Sequence, residues 1–296
     1  MKPTAVCFGE VLWDVFPDQK IIGGAPLNVA LRMQSLGIAS FLASQVGKDD
    51  LGNDLLEFLK KHRCPTRYIQ ESNDLPTGQV HVQLDAGGSA TYEIAQPVAW
   101  DTINVPQDLL TVVREANVFL YGSLAARSRQ SRESLKKLLS IAPYKVFDVN
   151  LRPPFFEEKL LLELMASADF IKVNDEELST LSKILNGPEE VLEKQVRFLA
   201  QATKTGSICV TLGAEGAALL HQEQWILQKG YPTTVVDTVG AGDSFLATLL
   251  SGILLNKPLP VALSDACAMG AMVAARAGAN PEISSEALEK FKSTHG

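Results

Sequence analysis

The sequence predicts an α/β protein with a mostly parallel central sheet covered by helices on both faces. Two observations carry this expectation: short apolar runs rich in β-branched residues recur along the chain, and segments with helical spacing separate them. A third bears on organisation. No shift of composition and no Pro/Gly/Ser-rich linker divides the 296 residues, so 1–296 is expected to fold as a single domain.

Taken in order, the runs at 5–8 (AVCF), 41–43, 118–121 (VFLY), 146–149, 170–173 (FIKV) and 208–211 are largely apolar at successive positions, as suits strands buried on both faces. After the first strand, Leu27, Ala30, Leu31 and Gln34 keep one helical face, with Pro26 in the first turn and Gly37 as a stop. Segments 52–62, 132–141, 157–168 and 188–202 carry the same 3.6-residue spacing. Strand patterns at 217–221 and 224–228 follow a turn at 213–216, and 233–236 (TTVV) reads as a strand running into the apolar helix after Asp243. The rest is helical, over 261–277 and 286–292.

One region departs from this scheme. Residues 79–85 alternate polar and apolar, 86–89 (AGGS) form a turn, and 91–95 are again strand-like, which describes a hairpin with one dry face of Val80, Val82 and Leu84. A lone hairpin buries too little apolar surface to stand by itself, so that face must cover something. It projects as a small sheet or forms an antiparallel edge of the main one.

Hydrophobic residues make up 46% and charged residues 21%, with a net charge of −7 and no Lys/Arg run, which argues against a nucleic-acid partner or an anionic membrane surface. The apolar stretch after Asp243 stops at Lys257, short of the roughly 18 residues of a membrane span. The N-terminus lacks a secretory pattern, so a cytoplasmic location is expected. Cys7, Cys64, Cys209 and Cys267 form no CxxC pair and sit among apolar neighbours, as reduced buried thiols do. His62, His81, His221 and His295 are too scattered for a local zinc motif.

The chemistry concentrates in 237–243, DTVGAGD, at the head of a helix. Gly240, Ala241 and Gly242 would let an anion approach free backbone N–H groups, where the helix dipole also favours negative charge. Asp243 beside them can accept a proton, and an amide cradle next to a carboxylate base is what phosphoryl transfer to an alcohol needs. The alternative is a tight turn with Asp243 as a helix cap. GxxxxGK[ST], GxGxxG and GxSxG are all absent.

Four pieces of sequence together resemble the ribokinase-like (PfkB) sugar kinases: GGAPLNVA at 23–30, KVNDEE at 172–177, VTLGAEG at 210–216 and DTVGAGDSF at 237–245, in that family's order and across nearly the whole chain. The resemblance implies the ribokinase-like fold, with Asp243 as the base and Gly240, Ala241 and Gly242 as the anion hole. It implies Asn174 and Glu177 for phosphate oxygens and magnesium-bound water, with ATP as donor and Mg²⁺ as cofactor. It places Thr211, Gly213 and Gly216 along the nucleotide, and it lets Asp237 and Val239 offer oxygens to a monovalent cation such as K⁺. Locally, Asn174 can equally be a helix cap.

For the sugar, the implied contacts are Gly23, Gly24, Asn28 and Asp14, the last placed near the end of the first strand and otherwise an exposed turn acid. Arg152, in DVNLR at 148–152, reaches phosphate or substrate, or makes a salt bridge at a strand end. The late helix carries Ala266-Cys267-Ala268 where many members have an asparagine near the adenine, which leaves the choice of ATP over other nucleotides less fixed. The opening GEVLWDVFP and DVNLRPPF are most similar to bacterial fructokinases, so the implied reaction is fructose to fructose 6-phosphate. A 2-keto-3-deoxygluconate kinase is the nearest alternative, ribokinase or nucleoside kinase activity is further off, and a sugar-sensing protein without catalysis is the alternative of another class. The family also implies a lid over the sugar, formed from 79–95 and part of 10–22, which pairs two subunits into a homodimer.

Overall fold

The computed structural model describes residues 2–84, 90–188 and 191–295, with the backbone alone for 82–84 and 90–92. Strand β1 (Thr4–Phe8) opens the chain, followed by β2 (Leu12–Val15), β3 (Lys20–Gly23), helix α1 (Ala25–Ser35), β4 (Ala39–Gly47), α2 (Asp50–Lys61) and β5 (Ile69–Ser72). Then come β6 (Gly78–Leu84), β7 (Ala90–Ile94), α3 (Gln107–Glu115), β8 (Val118–Gly122), α4 (Arg129–Leu139), β9 (Lys145–Asp148), α5 (Glu158–Ala166) and β10 (Phe170–Asn174). The chain continues through α6 (Asp175–Ile184), α7 (Leu192–Thr203), β11 (Ser207–Thr211), β12 (Gly216–His221) and β13 (Gln224–Lys229). It closes with α8 (Ala241–Leu254), α9 (Leu259–Ala274) and α10 (Ser285–His295).

Nine strands form the main sheet in the order β13-β12-β11-β10-β9-β8-β1-β4-β5. Every pair from β11 to β5 is parallel, and β12 and β13 add an antiparallel edge. Alternation along β1 shows how both faces are used: Val6 and Phe8 enter one core, Ala5 and Cys7 the other. The first core is closed by α3 to α7 through residues such as Val113, Leu135, Leu161, Leu181 and Leu199. The second is closed by α1, α2, α8 and α9 through Leu27, Met33, Leu59, Leu249 and Ala266. All four cysteines are free and buried. Among the described residues no helix is long and apolar enough to cross a membrane.

The strand order places the binding crevice. The chain runs outward from β1 to β4 and β5, then returns to β8 on the other side of β1. Such a reversal leaves a gap between the loops that follow β1 and β8, at the carboxyl ends of the strands, where α/β sheets take ligands.

A separate four-stranded sheet, β3-β2-β6-β7, excludes the reading of the hairpin as an edge of the main sheet. Val80 faces Ile94 in the β6–β7 register and packs with Leu12 and Phe16 in a small apolar cluster. The side chains of Val82 and Leu84 and the turn at 86–89 lie outside the described residues. Two expectations need correction. Residues 233–236 are not a strand: Val235 and Val236 are exposed, and the Val236 and Asp237 N–H groups both donate to the Ala274 carbonyl at the end of α9. Asp14 is not at the end of the first strand but within β2 of the small sheet, and it is half-buried rather than an exposed turn acid.

Candidate active site

The carboxyl ends of the parallel strands bring Glu10 (just after β1), Asp148 (β9), Lys172 and Asn174 (β10) and Thr211 (β11) to one rim of the sheet. Helix α8 begins above that rim. Gly240 caps it in a left-handed conformation, φ 74°, and a Cβ there would lie 2.6 Å from the Cα and the carbonyl oxygen of Ala279, so the turn requires glycine. Because Gly240 is the cap, Asp243 is the third residue of the helix and the capping alternative fails.

The first helical hydrogen bond runs from Ser244 N–H to the Gly240 carbonyl, so the Gly242 and Asp243 N–H groups lie ahead of it, in the turn that has no intrahelical acceptor. The Ala241 N–H turns back to the Thr238 carbonyl at 3.2 Å, which corrects the equal share expected of it in the cradle.

Under this turn stands Lys172, whose Nζ is 3.4 Å from where a Cβ on Gly242 would be. Both it and Asp148 are buried and they pair at 3.1 Å. Burial works against the ammonium charge, but Asp148, Glu177 and Asp243 outweigh it and hold the Lys172 pKa above its ordinary value. Burial, then the Asp148 charge, lifts the Asp243 carboxyl to about 6, opposed by a hydrogen bond from Asn28 and by Lys172 and Arg152. Burial likewise lifts Glu10 to about 7. Glu10 Oε2 and Asp148 Oδ2 are buried with no hydrogen-bond partner among the described residues.

Asn28, on α1, donates from Nδ2 to Asp243 Oδ2 at 2.8 Å, which joins an expected sugar contact to the expected base. The start of α1 is crowded. Gly24, at φ 118°, caps it where a Cβ would come within 2.6 Å of the Glu10 carbonyl oxygen, and a Cβ on Gly23 would overlap the Asp14 carboxylate. Asp14, Gly23, Gly24, Glu10 and Asn28 thus surround one corner. Burial raises Asp14 to about 6, against the pull of Arg152. Arg152 itself is exposed, donates to its neighbour's carbonyl, and makes no ion pair among the described residues, so the salt-bridge reading fails. Its charge acts on Glu10, Asp14 and Asp243 alike.

Asn174 and Glu177 form a reciprocal capping box on α6: the Glu177 N–H donates to Asn174 Oδ1 at 2.7 Å, and the Asn174 N–H to Glu177 Oε2 at 2.9 Å. Glu177 Oε1 accepts from the Leu151 N–H at 2.8 Å. The cap reading is therefore correct locally, and it also fixes a buried carboxylate beside Lys172. Thr211 leads into the turn at Gly213 and Gly216, both at positive φ, between β11 and β12. No described hydrogen bond or ion pair joins these three to Asp243. The Asp237 carboxylate accepts from the Val239 and Gly278 N–H groups, at 2.9 and 3.1 Å, so its side chain holds the turn. Among the described residues no group of three His, Cys, Asp or Glu is set to hold a metal by itself.

Lys172, Glu10 and Asn280 were not among the expected site residues. Lys172 has a signal, since a lysine between Ile171 and Val173 in a buried strand needs an anionic partner. Asn280, whose Nδ2 donates to Asn28 Oδ1 at 2.7 Å, has none.

The model of the pfkB family of carbohydrate kinases matches residues 4–286. The chain belongs to that family. This carbohydrate kinase is 30% identical to fructokinase-2 of Solanum lycopersicum over 97% of the chain and 95% of the relative. An uncharacterized sugar kinase of Pyrococcus horikoshii is 34% identical over 84% of the chain and 78% of its own length. A crystal structure of that protein in complex with ATP covers 99% of both chains at 28% identity, with a TM-score of 0.80. The fructokinase of Xylella fastidiosa shares the fold, with a TM-score of 0.89 over 99% of both chains at 23% identity. The kinase is thus a sugar-phosphorylating transferase built on the expected architecture.

Proposed function

We propose that this kinase transfers the γ-phosphoryl group of ATP to a primary hydroxyl of a sugar, converting fructose to fructose 6-phosphate. One observation carries the reading. Asp243, lifted to about 6 and held by an amide rather than an ammonium, stands beside the open N–H groups of α8 and above the Lys172 ammonium. A carboxylate of that kind takes a proton, and the adjacent positive groups take the phosphoryl charge. The sugar hydroxyl gives its proton to Asp243, its oxygen bonds to the γ-phosphorus, and the bond from that phosphorus to the bridging oxygen breaks to release ADP. Asp14, Asn28 and the Gly23–Gly24 backbone orient the hydroxyls, and the Gly240 turn presents the Gly242 and Asp243 N–H groups as the cradle. Thr211, Gly213 and Gly216 line the nucleotide.

The orphaned Asp148 Oδ2 and the fixed Glu177 are hard oxygen donors and fit Mg²⁺ carried in with the nucleotide through water. When bound, Mg²⁺ offsets charge on the β- and γ-phosphates. The carbonyls of Asp237 and Val239 would offer oxygens to K⁺. The small sheet, which carries Asp14 on β2, acts as a lid and joins two copies as a homodimer, which light scattering at micromolar concentration checks. A monomer would remove that part. Four free buried cysteines suit a reducing, cytoplasmic setting.

Fructose is supported by the full-length likeness to the tomato fructokinase, and ATP by the ATP complex of the Pyrococcus sugar kinase. Arg152, exposed and without an ion pair among the described residues, favours a second reading in which it meets the carboxylate of 2-keto-3-deoxygluconate. An ADP-release assay across fructose, ribose, 2-keto-3-deoxygluconate and adenosine tests the proposal. Fructose should give the highest kcat/KM. A higher value for the keto acid would select the second reading, and none with any of the four would contradict both.

A further inference from the structure

The loop between α9 and α10 is fastened at both ends to the catalytic corner. The Gly278 N–H donates to Asp237 Oδ2 at 3.1 Å, and Arg32 Nη2 donates to the Pro281 carbonyl at 2.9 Å. Arg32 lies one helical turn beyond Asn28 on α1, and its Nε donates to Ser244 Oγ, directly after Asp243. It is buried and makes no ion pair among the described residues, so its charge is met by these hydrogen bonds alone. Ala279 packs against Gly240 so closely that no side chain fits between them. Residues 278–281 therefore form a rigid bracket between α1 and the turn at 237–243.

Asn280 is the member of this bracket that reaches the base. Its Nδ2 donates to Asn28 Oδ1 at 2.7 Å, and Asn28 Nδ2 donates to Asp243 Oδ2 at 2.8 Å. An ionised carboxylate only accepts, so it fixes the direction of both amides. Asn28 must present its NH₂ to Asp243, its oxygen must face away, and a donor must stand behind that oxygen. Asn280 supplies the donor, although its own Oδ1 is left buried and without a partner among the described residues. Leaving an acceptor orphaned is costly, and an amide placed only for packing would not be held in that orientation.

We infer that Asn280 is a positioning residue for phosphoryl transfer: it locks the Asn28 amide so that Asp243 keeps one ionised oxygen aligned toward the sugar hydroxyl. The inference rests on the proposed role of Asp243 as base. Without the Asn280 amide only the contact with Asp243 still orients Asn28, and its unpaired Oδ1 draws the side chain toward other donors. That weakens the hydrogen bond that aligns the carboxylate and favours its ionised form. The other charges facing Asp243 are Asp148, Lys172 and Arg152, with Glu10 on the adjoining loop, and none of them touches Asn280 among the described contacts.

Three variants test this: Asn280→Ala, Asn280→Asp and Asp243→Asn, each assayed for kcat, the KM of ATP, the pH profile of kcat and Tm. Asn280→Ala should lower kcat by about tenfold, leave the KM of ATP within about twofold, and move the acid limb of the profile to higher pH. Asn280→Asp is isosteric and, when ionised, can only accept, so at pH above 7 it draws the Asn28 NH₂ away from the base. It should lower kcat by about a hundredfold, more than the truncation does. A filler of space would show the reverse order. If Asn280→Ala does not fold, Asn280→Asp carries the test by itself. Unchanged kcat and an unmoved acid limb in a folded Asn280 variant, with Asp243→Asn inactive, would overturn this inference while leaving the base in place. Full turnover by Asp243→Asn would instead overturn the base itself.

Discussion

Two aspartates on neighbouring helices carry opposite kinds of surroundings. Asp265, in the middle of α9, is buried with an ammonium on each oxygen, Lys257 at 2.6 Å and Lys292 from α10 on the other. Asp243, at the head of α8, receives an amide from Asn28, while the nearby Lys172 is spent on Asp148. In the first case the charge is neutralised and the carboxylate ties α9 to α10 and to the turn between α8 and α9. In the second it is left short of direct neutralisation, and burial lifts it to about 6, where it can take and return a proton. The same residue type is structural where its charge is met and reactive where it is not.

The pair can be broken directly. Asp243→Asn should lower kcat by about 10³–10⁴ with sugar binding little changed, as for a general base. Because the folded carboxyl titrates above its ordinary value, at about 6, ionising it opposes folding as pH rises, so the same variant should keep or raise Tm at pH above 7. Asp265→Asn should do the opposite, with kcat nearly unchanged and stability lower by about 1–3 kcal/mol. That figure allows for the freed lysines reaching water. A thermal melt beside a steady-state assay checks both.

Lys172→Met keeps most of the side chain's apolar length and removes the charge under the cradle. It should lower kcat by about 10²–10³. An effect on Tm without one on kcat would assign the Asp148–Lys172 pair to the Asp265 kind. Smaller still, Glu177→Gln should raise the Mg²⁺ concentration for half-maximal rate by several-fold, read from a Mg²⁺ titration. An unmoved curve would leave Glu177 as a helix cap alone.

Most of the main sheet was legible because strands buried on both faces are written as apolar runs, and the site motifs were legible because a glycine turn at a helix head is local. What escaped the sequence was set by distant contacts. Strand β5 (IQES) is a short edge of mixed polarity, and α3 carries Thr-Val-Val, which favours a strand until Leu109 and Val113 find the core. Residues 233–236 have the composition of a strand, but among the described residues their only backbone pairing is with the end of α9. Lys172 was visible as an oddity, but its partner lies on the next strand, and the Asn280–Asn28 contact joins residues 252 positions apart. Spacing cannot show such a meeting.

The pH dependence of kcat/KM for the sugar tests the unneutralised base most directly, since that ratio reports the groups of the enzyme before sugar binds. Measuring it in Asp14→Asn as well removes the other carboxyl at about 6. The account predicts a one-proton acid limb near pH 6, retained in Asp14→Asn and in Glu10→Gln, whose own group lies at about 7. A kcat/KM that stays flat down to pH 4.5, or a limb that vanishes in Glu10→Gln or Asp14→Asn, would contradict it.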